Sequence, residues 1–312
     1  MAGKEIHLIV ILGPTASGKT GLSLDLAQHI DVEIISADSR QVYKFMNIGT
    51  AKPDQKELKA VKHHFIDHLE PDDYFSAGKF SEEADYLIPQ IIKRGNIPLI
   101  VGGSGLYIKA LCEGLFKDNA DRSQRKKVRN EINSKFELEG KEKLYDELMQ
   151  VDPESAEKYN DMNPVRITRA LEHYKVTGKK FSESILNDEN KDYICHYYGI
   201  DFEREKLYDR INRRTELMWA EGLVEETKKL LEMGYDVSLN SMNTVGYKEV
   251  TAFLKGYYNK ETAIDEMKKN TRRFAKRQLT WFRKNNEINW LKPEENMTSK
   301  ILYDLDKFDF YK

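Results

Sequence analysis

The chain has 312 residues, of which 40% are hydrophobic and 33% are charged, with a formal net charge of −2. This length predicts either two domains or one large domain with an insertion. A net charge this close to zero does not by itself indicate a nucleic-acid-binding protein, so the distribution of charge along the chain has to decide.

The two cysteines, Cys112 and Cys195, lack the paired spacing of a disulfide framework or a zinc site, which favours a reducing cytoplasm. No apolar stretch in the sequence is long enough to span a membrane, so no membrane partner is expected. The apolar run near the start is also too short for a signal peptide.

The first third of the chain alternates short apolar runs with segments of helical periodicity. Each run is continuous, as expected of a parallel strand buried on both faces. The predicted strands are Ile6–Leu12, Val32–Ser36 and Ile97–Val101. A helix is predicted at Ser76–Arg94, with Ser76 as its N-cap, and Pro89 predicts a kink or an early end to it. Repeated strand, turn and helix predict an α/β fold with a doubly wound parallel sheet.

The pattern changes in the middle of the chain. Residues 115–198 show helical periodicity and polar connections without a convincing buried strand, which predicts a helical insertion. Long amphipathic helices follow at 201–234 and 261–284. The predicted organisation is therefore a core made of residues 1–114 and 199–312, with C-terminal helices, interrupted by the insertion 115–198.

The stretch GPTASGKT lies between the first predicted strand and the first predicted helix. It fits the phosphate-binding P-loop pattern, in which glycines let successive backbone N–H groups point at one anion at the start of a helix. Lys19 would reach the terminal phosphates, and the Thr20 hydroxyl would bind Mg²⁺. The predicted fold is thus similar to that of P-loop NTPases. The candidate phosphate-binding residues are Gly13, Pro14, Thr15, Ala16, Ser17, Gly18, Lys19 and Thr20.

Two further polar residues follow the other predicted strands. Asp38 comes after the second strand and Ser104 after the third, so both should lie at the edge of the sheet that carries the phosphate loop. A carboxylate there could hold Mg²⁺ or accept a proton, although it could also cap a turn. The third strand ends in Gly-Gly, where ATP hydrolases usually have an acidic residue, and this weakens an ATPase interpretation.

Basic residues cluster late in the chain. Residues 268–284 contain eight Lys or Arg and no acidic residue, which favours binding to a nucleic-acid backbone. Arg210 and Arg214 lie one helical turn apart and could bind phosphate, although an ordinary ion pair would give the same spacing. The candidate nucleic-acid-binding residues of the late helix are Arg272, Arg273, Lys276 and Arg277.

Together these segments resemble the tRNA dimethylallyltransferases, also called isopentenyl-tRNA transferases. The matching stretches occur in family order and cover nearly the whole chain. They are GPTASGKT, ISADSRQVYKFMNIGTAKP, IPLIVGGSGLYIKAL, NPVRITRALE, DRINRRTELMWAEGLVEE, VGYKE and AKRQLTWFR. The sequence has no Cys- and His-containing tail, and in this respect it resembles the bacterial members of the family.

The resemblance implies a reaction. A dimethylallyl group would pass from dimethylallyl diphosphate to the exocyclic amine of the adenosine on the 3′ side of the anticodon, releasing diphosphate. It implies Asp38 as the proton acceptor, Ser104 as a catalytic hydroxyl and Lys19 as the residue that activates the leaving group. Arg210 and Arg214 match arginines that contact the diphosphate, and Mg²⁺ is the implied cofactor.

The resemblance also implies contacts with the tRNA anticodon stem-loop, which the insertion would grip, while the target base leaves its stack and enters a channel. No coiled-coil pattern is present, which favours a monomer. The implied tRNA-binding residues, besides the late helix, are Asp38, Ser39, Arg40, Gln41, Ser104, Arg125, Val165, Arg166, Ile167, Thr168 and Arg169.

Three alternatives remain at this stage. A small-molecule or nucleoside kinase shares the phosphate loop but leaves the basic helix unexplained. A transferase acting on free adenine nucleotides shares the chemistry but has little use for the insertion. A non-catalytic RNA-binding module with a vestigial loop does not explain the intact Gly-Lys-Thr or Asp38.

Overall fold

The computed structural model describes residues 5–114, 122–185 and 193–307. The chain divides into two compact units, one formed by Met1–Cys112 with Asp192–Lys312 and the other by Glu113–Lys191. In the described residues, no helix is both long and apolar enough to cross a membrane.

The first unit contains a six-stranded sheet in which every strand pairs in parallel with its neighbours. Its order is β3-β2-β4-β1-β5-β6, so β1 and β4 are central. The strands are β1 Ile6–Leu12, β2 Val32–Ala37, β3 His63–His64, β4 Ile97–Gly102, β5 Tyr193–Ile200 and β6 Asn289–Leu291. The predicted α/β class with a parallel sheet is confirmed.

Helices pack around this sheet and make up the second unit. The helices are α1 Lys19–Leu26, α2 Gln55–Ala60, α3 Ala77–Lys93, α4 Gly105–Cys112, α5 Arg122–Val151, α6 Pro153–Lys158, α7 Pro164–Thr177, α8 Phe181–Ile185, α9 Arg204–Ala220, α10 Leu223–Glu232, α11 Tyr247–Leu254, α12 Lys260–Phe282 and α13 Met297–Lys307. One face of the sheet is covered by α1 and α13, whose apolar residues join a core with Ile9, Ile34 and Leu99.

The three predicted strands are present as β1, β2 and β4. The prediction of no strand up to residue 198 is wrong, because β5 begins at Tyr193 and pairs with β1 as far as Gly199. Its sequence YICHYYGI lacks a continuous aliphatic run, so the pattern of a buried strand is missing although its second half is buried. The insertion unit ends at Lys191 instead, and its predicted start at residue 115 lies outside the described residues.

The predicted helix at 76–94 is present as α3. The Ser76 side chain accepts a hydrogen bond from the backbone of Lys79, which confirms Ser76 as its N-cap. The helix continues through Pro89 to Lys93, so an early end is wrong. Pro89 lies on the exposed face of the helix.

The insertion unit has a core of its own between α5 and α7. Ile132, Leu144, Leu148, Ile167 and Leu171 are all buried in it. Within α5 the helical conformation breaks at Gly140, which has φ 82°. A buried carboxylate, Asp152, caps α6 and also accepts hydrogen bonds from the backbone and hydroxyl of Ser182.

Candidate active site

A cavity of about 1240 Å³ opens at the edge of the sheet where β1, β2 and β4 end. Its walls come from the loop before α1, the turn after β2, Ser104 after β4, and the helices α9 and α12. The phosphate loop, Asp38 and Ser104 therefore meet in one space, as expected from their places at the ends of strands, and arginines of α9 and α12 join them. The site residues that line it are Thr15, Ala16, Gly18, Lys19, Thr20, Asp38, Ser39, Arg40, Gln41, Ser104, Arg210, Arg214 and Arg277.

The phosphate loop joins β1 directly to α1. Gly18 is the N-cap of α1 and supplies no side-chain hydrogen bond, so the first turn of the helix presents its backbone N–H groups towards the cavity. Ser17 Oγ is buried without a hydrogen-bond partner among the described residues. The Lys19 ammonium donates to the carbonyls of Gly13 (3.1 Å) and Pro14 (2.8 Å), which folds its side chain back over the loop.

Lys19 has an altered proton affinity. Burial lowers its pKa to about 8, the carboxylate of Asp38 opposes this shift, and the positive charge of Arg214 adds to the lowering. Lys19 in the loop, Asp38 after β2 and Arg214 on α9 all line the cavity, so an anion bound there would lie near all three charges.

The arginines of α9 surround the loop. Arg210 Nε donates to the carbonyl of Ala16 at 2.8 Å, while its guanidinium lies 5.0 Å from the centre of the Phe202 ring. Ala16 has φ 64°, a left-handed conformation that a non-glycine residue rarely adopts, so Arg210 binds the loop at an unusual backbone conformation. Arg214 lines the same cavity, and burial lowers its pKa. Arg213 also lines the cavity and was missed by the sequence analysis.

The turn after β2 holds the candidate base. Asp38 Oδ1 accepts hydrogen bonds from the backbone N–H groups of Arg40 (2.8 Å) and Gln41 (3.3 Å), so this carboxylate does close a turn. It also lines the cavity beside Lys19. Ser104 Oγ accepts a hydrogen bond from the Ser39 N–H at 3.0 Å, and a hydroxyl that accepts one bond can still donate another.

Two neighbours of Asp38 are held by the protein itself. Arg40 donates through Nη1 to the carbonyl of Asn240 at 2.6 Å. Gln41 accepts from Ser36 Oγ and donates through Nε2 to the carbonyls of Thr50 and Ala51. Both side chains thus have a structural role in the cavity wall, in addition to any contact they make with a ligand.

Gln278 connects three parts of the site that sequence reasoning had left separate. Its Oε1 accepts from the Thr15 N–H at 2.8 Å, and its Nε2 donates to the Gly103 carbonyl at 2.9 Å. A Cβ at Gly103 would overlap with the Gln278 amide, so the glycine allows this close approach. The only signal in the sequence was an uncharged polar residue on the packing face of a basic helix.

The basic residues of α12 do not share one environment. Arg277 lines the cavity. Arg272 turns towards α9, where its Nη1 donates to Asn212 Oδ1 at 2.7 Å and its guanidinium lies over the ring of Tyr208. Arg273 and Lys276 are exposed. Only part of the predicted positive surface therefore faces solvent.

The predicted RNA-binding residues of the insertion differ in exposure. Val165 is 77% exposed at the start of α7, whereas the side chain of Ile167 is fully buried in the core and unavailable to a ligand. Arg125 forms an ion pair with the buried Glu172, at 3.4 Å. Arg166 and Arg169 are exposed and Thr168 is half-buried.

Comparison with known proteins gives full-length relatives. The chain is 47% identical over 300 residues to a tRNA dimethylallyltransferase of Christiangramia forsetii, covering 96% of each chain. It is 44% identical over 306 residues to one of Acetivibrio thermocellus, again covering 96% of each.

Solved structures give the same result. The fold is similar to a tRNA delta(2)-isopentenylpyrophosphate transferase from Staphylococcus epidermidis, with a TM-score of 0.70, 39% identity, and coverage of 97% of this chain and 99% of that one. It is also similar to a eukaryotic dimethylallyltransferase described as acting on tRNA, with a TM-score of 0.80, 29% identity, and coverage of 98% and 79%.

The family model for IPP transferase matches residues 41–285, which begin at the end of the turn that follows Asp38 and include the insertion and the helices α9 and α12. This match and the full-length relatives confirm the resemblance on which the sequence analysis relied. The chain belongs to the IPP transferase family.

Proposed function

We propose that this chain transfers a dimethylallyl group from dimethylallyl diphosphate to the exocyclic amine of the adenosine on the 3′ side of the anticodon in tRNA. The observation that carries the proposal is the placement of Asp38 in one cavity with Lys19 and Arg214. A proton acceptor beside an anion site suits a reaction in which an amine attacks and an anion leaves. The names of the relatives support the same substrates.

The bond changes are simple. The amine nitrogen of adenine forms a bond to C1 of the dimethylallyl group while the bond from C1 to the diphosphate oxygen breaks. The amine loses a proton, which Asp38 accepts, because the lone pair of an adenine amine is delocalised into the ring and the nitrogen needs help as it reacts. Asp38 Oδ1 already accepts two backbone N–H groups, so we assign the proton to Oδ2.

The loop stabilises the leaving group. Negative charge builds on the diphosphate as the bond to carbon breaks, and preorganised donors lower the energy of that state. Lys19, Arg210, Arg214 and the N-terminal turn of α1 supply these donors. Lys19 would exchange its bonds to the loop carbonyls for bonds to the diphosphate. No nucleotide is consumed.

We propose Mg²⁺ as the cofactor. Within the described residues there is no cluster of three or more His, Cys, Asp or Glu that could hold a metal. Mg²⁺ commonly binds through one or two protein ligands, water and substrate phosphates, and the Thr20 hydroxyl beside the phosphate loop fits that mode. When bound, the ion would neutralise part of the diphosphate charge.

The RNA substrate accounts for charge that the small substrate does not need. Arg273 and Lys276 on α12, and Arg166 and Arg169 on α7, are exposed and can bind phosphates of a nucleic-acid backbone. We propose that the insertion unit grips the anticodon stem-loop and that the target base leaves its stack to react. The monomeric state and the cytoplasmic location stay predictions.

The test is transfer of label from radiolabelled dimethylallyl diphosphate to unmodified tRNA in the presence of Mg²⁺ and without ATP. We expect labelled RNA and one diphosphate released for each group transferred. A strict requirement for ATP, or phosphorylation of a small acceptor, would favour the kinase interpretation, which the relatives do not support. Labelling of free adenine nucleotides in preference to tRNA would contradict the RNA substrate.

A further inference from the structure

One turn of the cavity wall is held by a single carboxylate from α10. Glu226 accepts hydrogen bonds from the backbone N–H groups of Asn47 (3.0 Å), Ile48 (3.0 Å) and Gly49 (3.2 Å). It also accepts the hydroxyl of Tyr247 at 2.7 Å. The stretches 35–53, 209–226 and 245–249, which carry the family resemblance, therefore meet at this carboxylate.

Tyr247 packs the turn from behind. Its side chain is fully buried, and burial together with Glu226 raises the pKa of its hydroxyl well above the usual value, so the hydroxyl stays a donor. The ring lies so close to Gly49 that a Cβ there would overlap with it. Phe45 (φ 65°) and Ala51 (φ 48°) flank the turn in left-handed conformations, which cost energy in non-glycine residues and need support from the surroundings.

The other side of the turn at residues 47–49 faces the cavity and is connected to Asp38, the candidate proton acceptor. Residues 47–52 line the cavity. Gln41 donates to the carbonyls of Thr50 (3.3 Å) and Ala51 (3.0 Å), and its own N–H binds Asp38 Oδ1. A continuous series of hydrogen bonds and backbone thus runs from Glu226 through the turn to Gln41 and Asp38.

We propose that Glu226 is a positioning residue for the adenosine that accepts the dimethylallyl group. It fixes the cavity wall at residues 47–51 and, through Gln41, the turn of Asp38 in the geometry that receives this nucleobase. This inference rests on the proposed function. Glu226 acts without touching either substrate, and its effect is on the acceptor side, since the phosphate loop is held separately by Gln278 and Arg210.

The test compares Glu226→Gln and Tyr247→Phe with the control Glu225→Gln, which changes an exposed carboxylate on the same helix. Gln keeps one acceptor oxygen but turns an NH₂ group towards backbone donors, whereas Phe removes one hydrogen bond and keeps the ring. Prenyl transfer to an anticodon stem-loop RNA is measured over both substrate concentrations. Binding of inorganic diphosphate is measured separately by calorimetry, and the melting temperature reports folding.

We expect Glu226→Gln to lower kcat/KM for the RNA by about 10- to 100-fold and Tyr247→Phe by about threefold, as for unsatisfied or missing hydrogen bonds. The dissociation constant of inorganic diphosphate and the KM of dimethylallyl diphosphate should change by less than about twofold, and Glu225→Gln should match the wild type.

The inference would be overturned if Glu226→Gln weakened diphosphate binding as much as it lowered kcat/KM for the RNA, or if it left kcat/KM for the RNA unchanged. If Glu226→Gln does not fold, Tyr247→Phe decides by the same criteria. A wild-type protein without transfer activity would overturn the proposed function itself, which distinguishes the two failures.

Discussion

The cavity wall contains two turns that present backbone N–H groups. One begins a helix without a side-chain cap, whereas the other binds a carboxylate of the protein. At the phosphate loop, the N-terminal turn of α1 begins at Gly18 without a side-chain cap, and cations line the surrounding wall. At residues 47–49, the converging N–H groups already bind the carboxylate of Glu226. Both turns are anion sites by geometry, but in the second the anion is supplied by the protein.

This difference fits the roles proposed for the two turns, one in binding the diphosphate and the other in shaping the cavity wall. A loop that ends at an uncapped helix N-terminus can bind a leaving anion there, whereas a turn that is filled by a carboxylate of the protein becomes a rigid wall. Asp38 lies between the two, coupled to Lys19 and Arg214 on one side and to Gln41 on the other. Substitutions can therefore be designed to disturb one side alone.

The largest expected effect comes from Asp38→Asn, which removes the proton acceptor that lies between the two anion sites. Turnover should fall by about 10²- to 10⁴-fold, the usual contribution of general acid–base catalysis, while binding of tRNA survives. Single-turnover rates and equilibrium RNA binding measure the two effects. Asp31→Asn is the matched control, because Asp31 is exposed and directly precedes β2, at the end of the strand away from Asp38. Near-normal turnover in Asp38→Asn would show that Asp38 is not the base.

Gln278→Leu should weaken the phosphate loop more than the turn at residues 47–49. The substitution leaves the Thr15 N–H and the Gly103 carbonyl without their partner. We expect the KM of dimethylallyl diphosphate to rise about tenfold, with a smaller change in the KM of the RNA. Thr280→Ala, an exposed position on the same helix, is the control. A larger loss on the RNA side than on the diphosphate side would break the proposed separation of the two turns.

The affinity of the phosphate loop for diphosphate should also depend on pH. Lys19 has a pKa of about 8 in the free protein, and a bound anion favours its charged form, so diphosphate affinity should fall as the pH rises above 8. The dissociation constant should be about fourfold higher at pH 8.5 than at pH 7. Lys19→Arg should remove this dependence, because arginine keeps its charge. A wild-type affinity that does not change over this range would contradict the role of Lys19.

The smallest effect is expected on α12, outside both turns. Replacing Arg273 and Lys276 with Gln should weaken tRNA binding several-fold and reduce the slope of log affinity against log salt by about one for each phosphate that is no longer neutralised. Arg272→Gln should change the slope less, because Arg272 is directed at Asn212 and Tyr208. An unchanged slope in the double variant would show that this surface is only solvated.

Several parts of this site could be predicted from the sequence. The aliphatic runs of β1, β2 and β4 identify buried strands, and parallel strands end at one edge, which brings the phosphate loop, Asp38 and Ser104 together. The reaction itself came from the family resemblance, since the same loop and carboxylate also fit a kinase.

Other parts could not be predicted. The strand β5 has mixed aromatic and polar residues, and β3 has two residues and β6 three, which is too short for a pattern to develop. The anchors of the two turns are also hidden, because Gln278 acts on a residue 263 positions away and Glu226 on one 178 positions away. Such interactions depend on tertiary packing and leave little signal in the local sequence.

A crystal structure with a non-reactive analogue of dimethylallyl diphosphate and Mg²⁺ tests the contrast between the two turns most directly. We predict the diphosphate at Gly13–Thr20 within reach of Lys19, Arg210 and Arg214, with Glu226 still bound to residues 47–49. A diphosphate bound elsewhere in the cavity, or one that displaces Glu226 from its turn, would contradict the account.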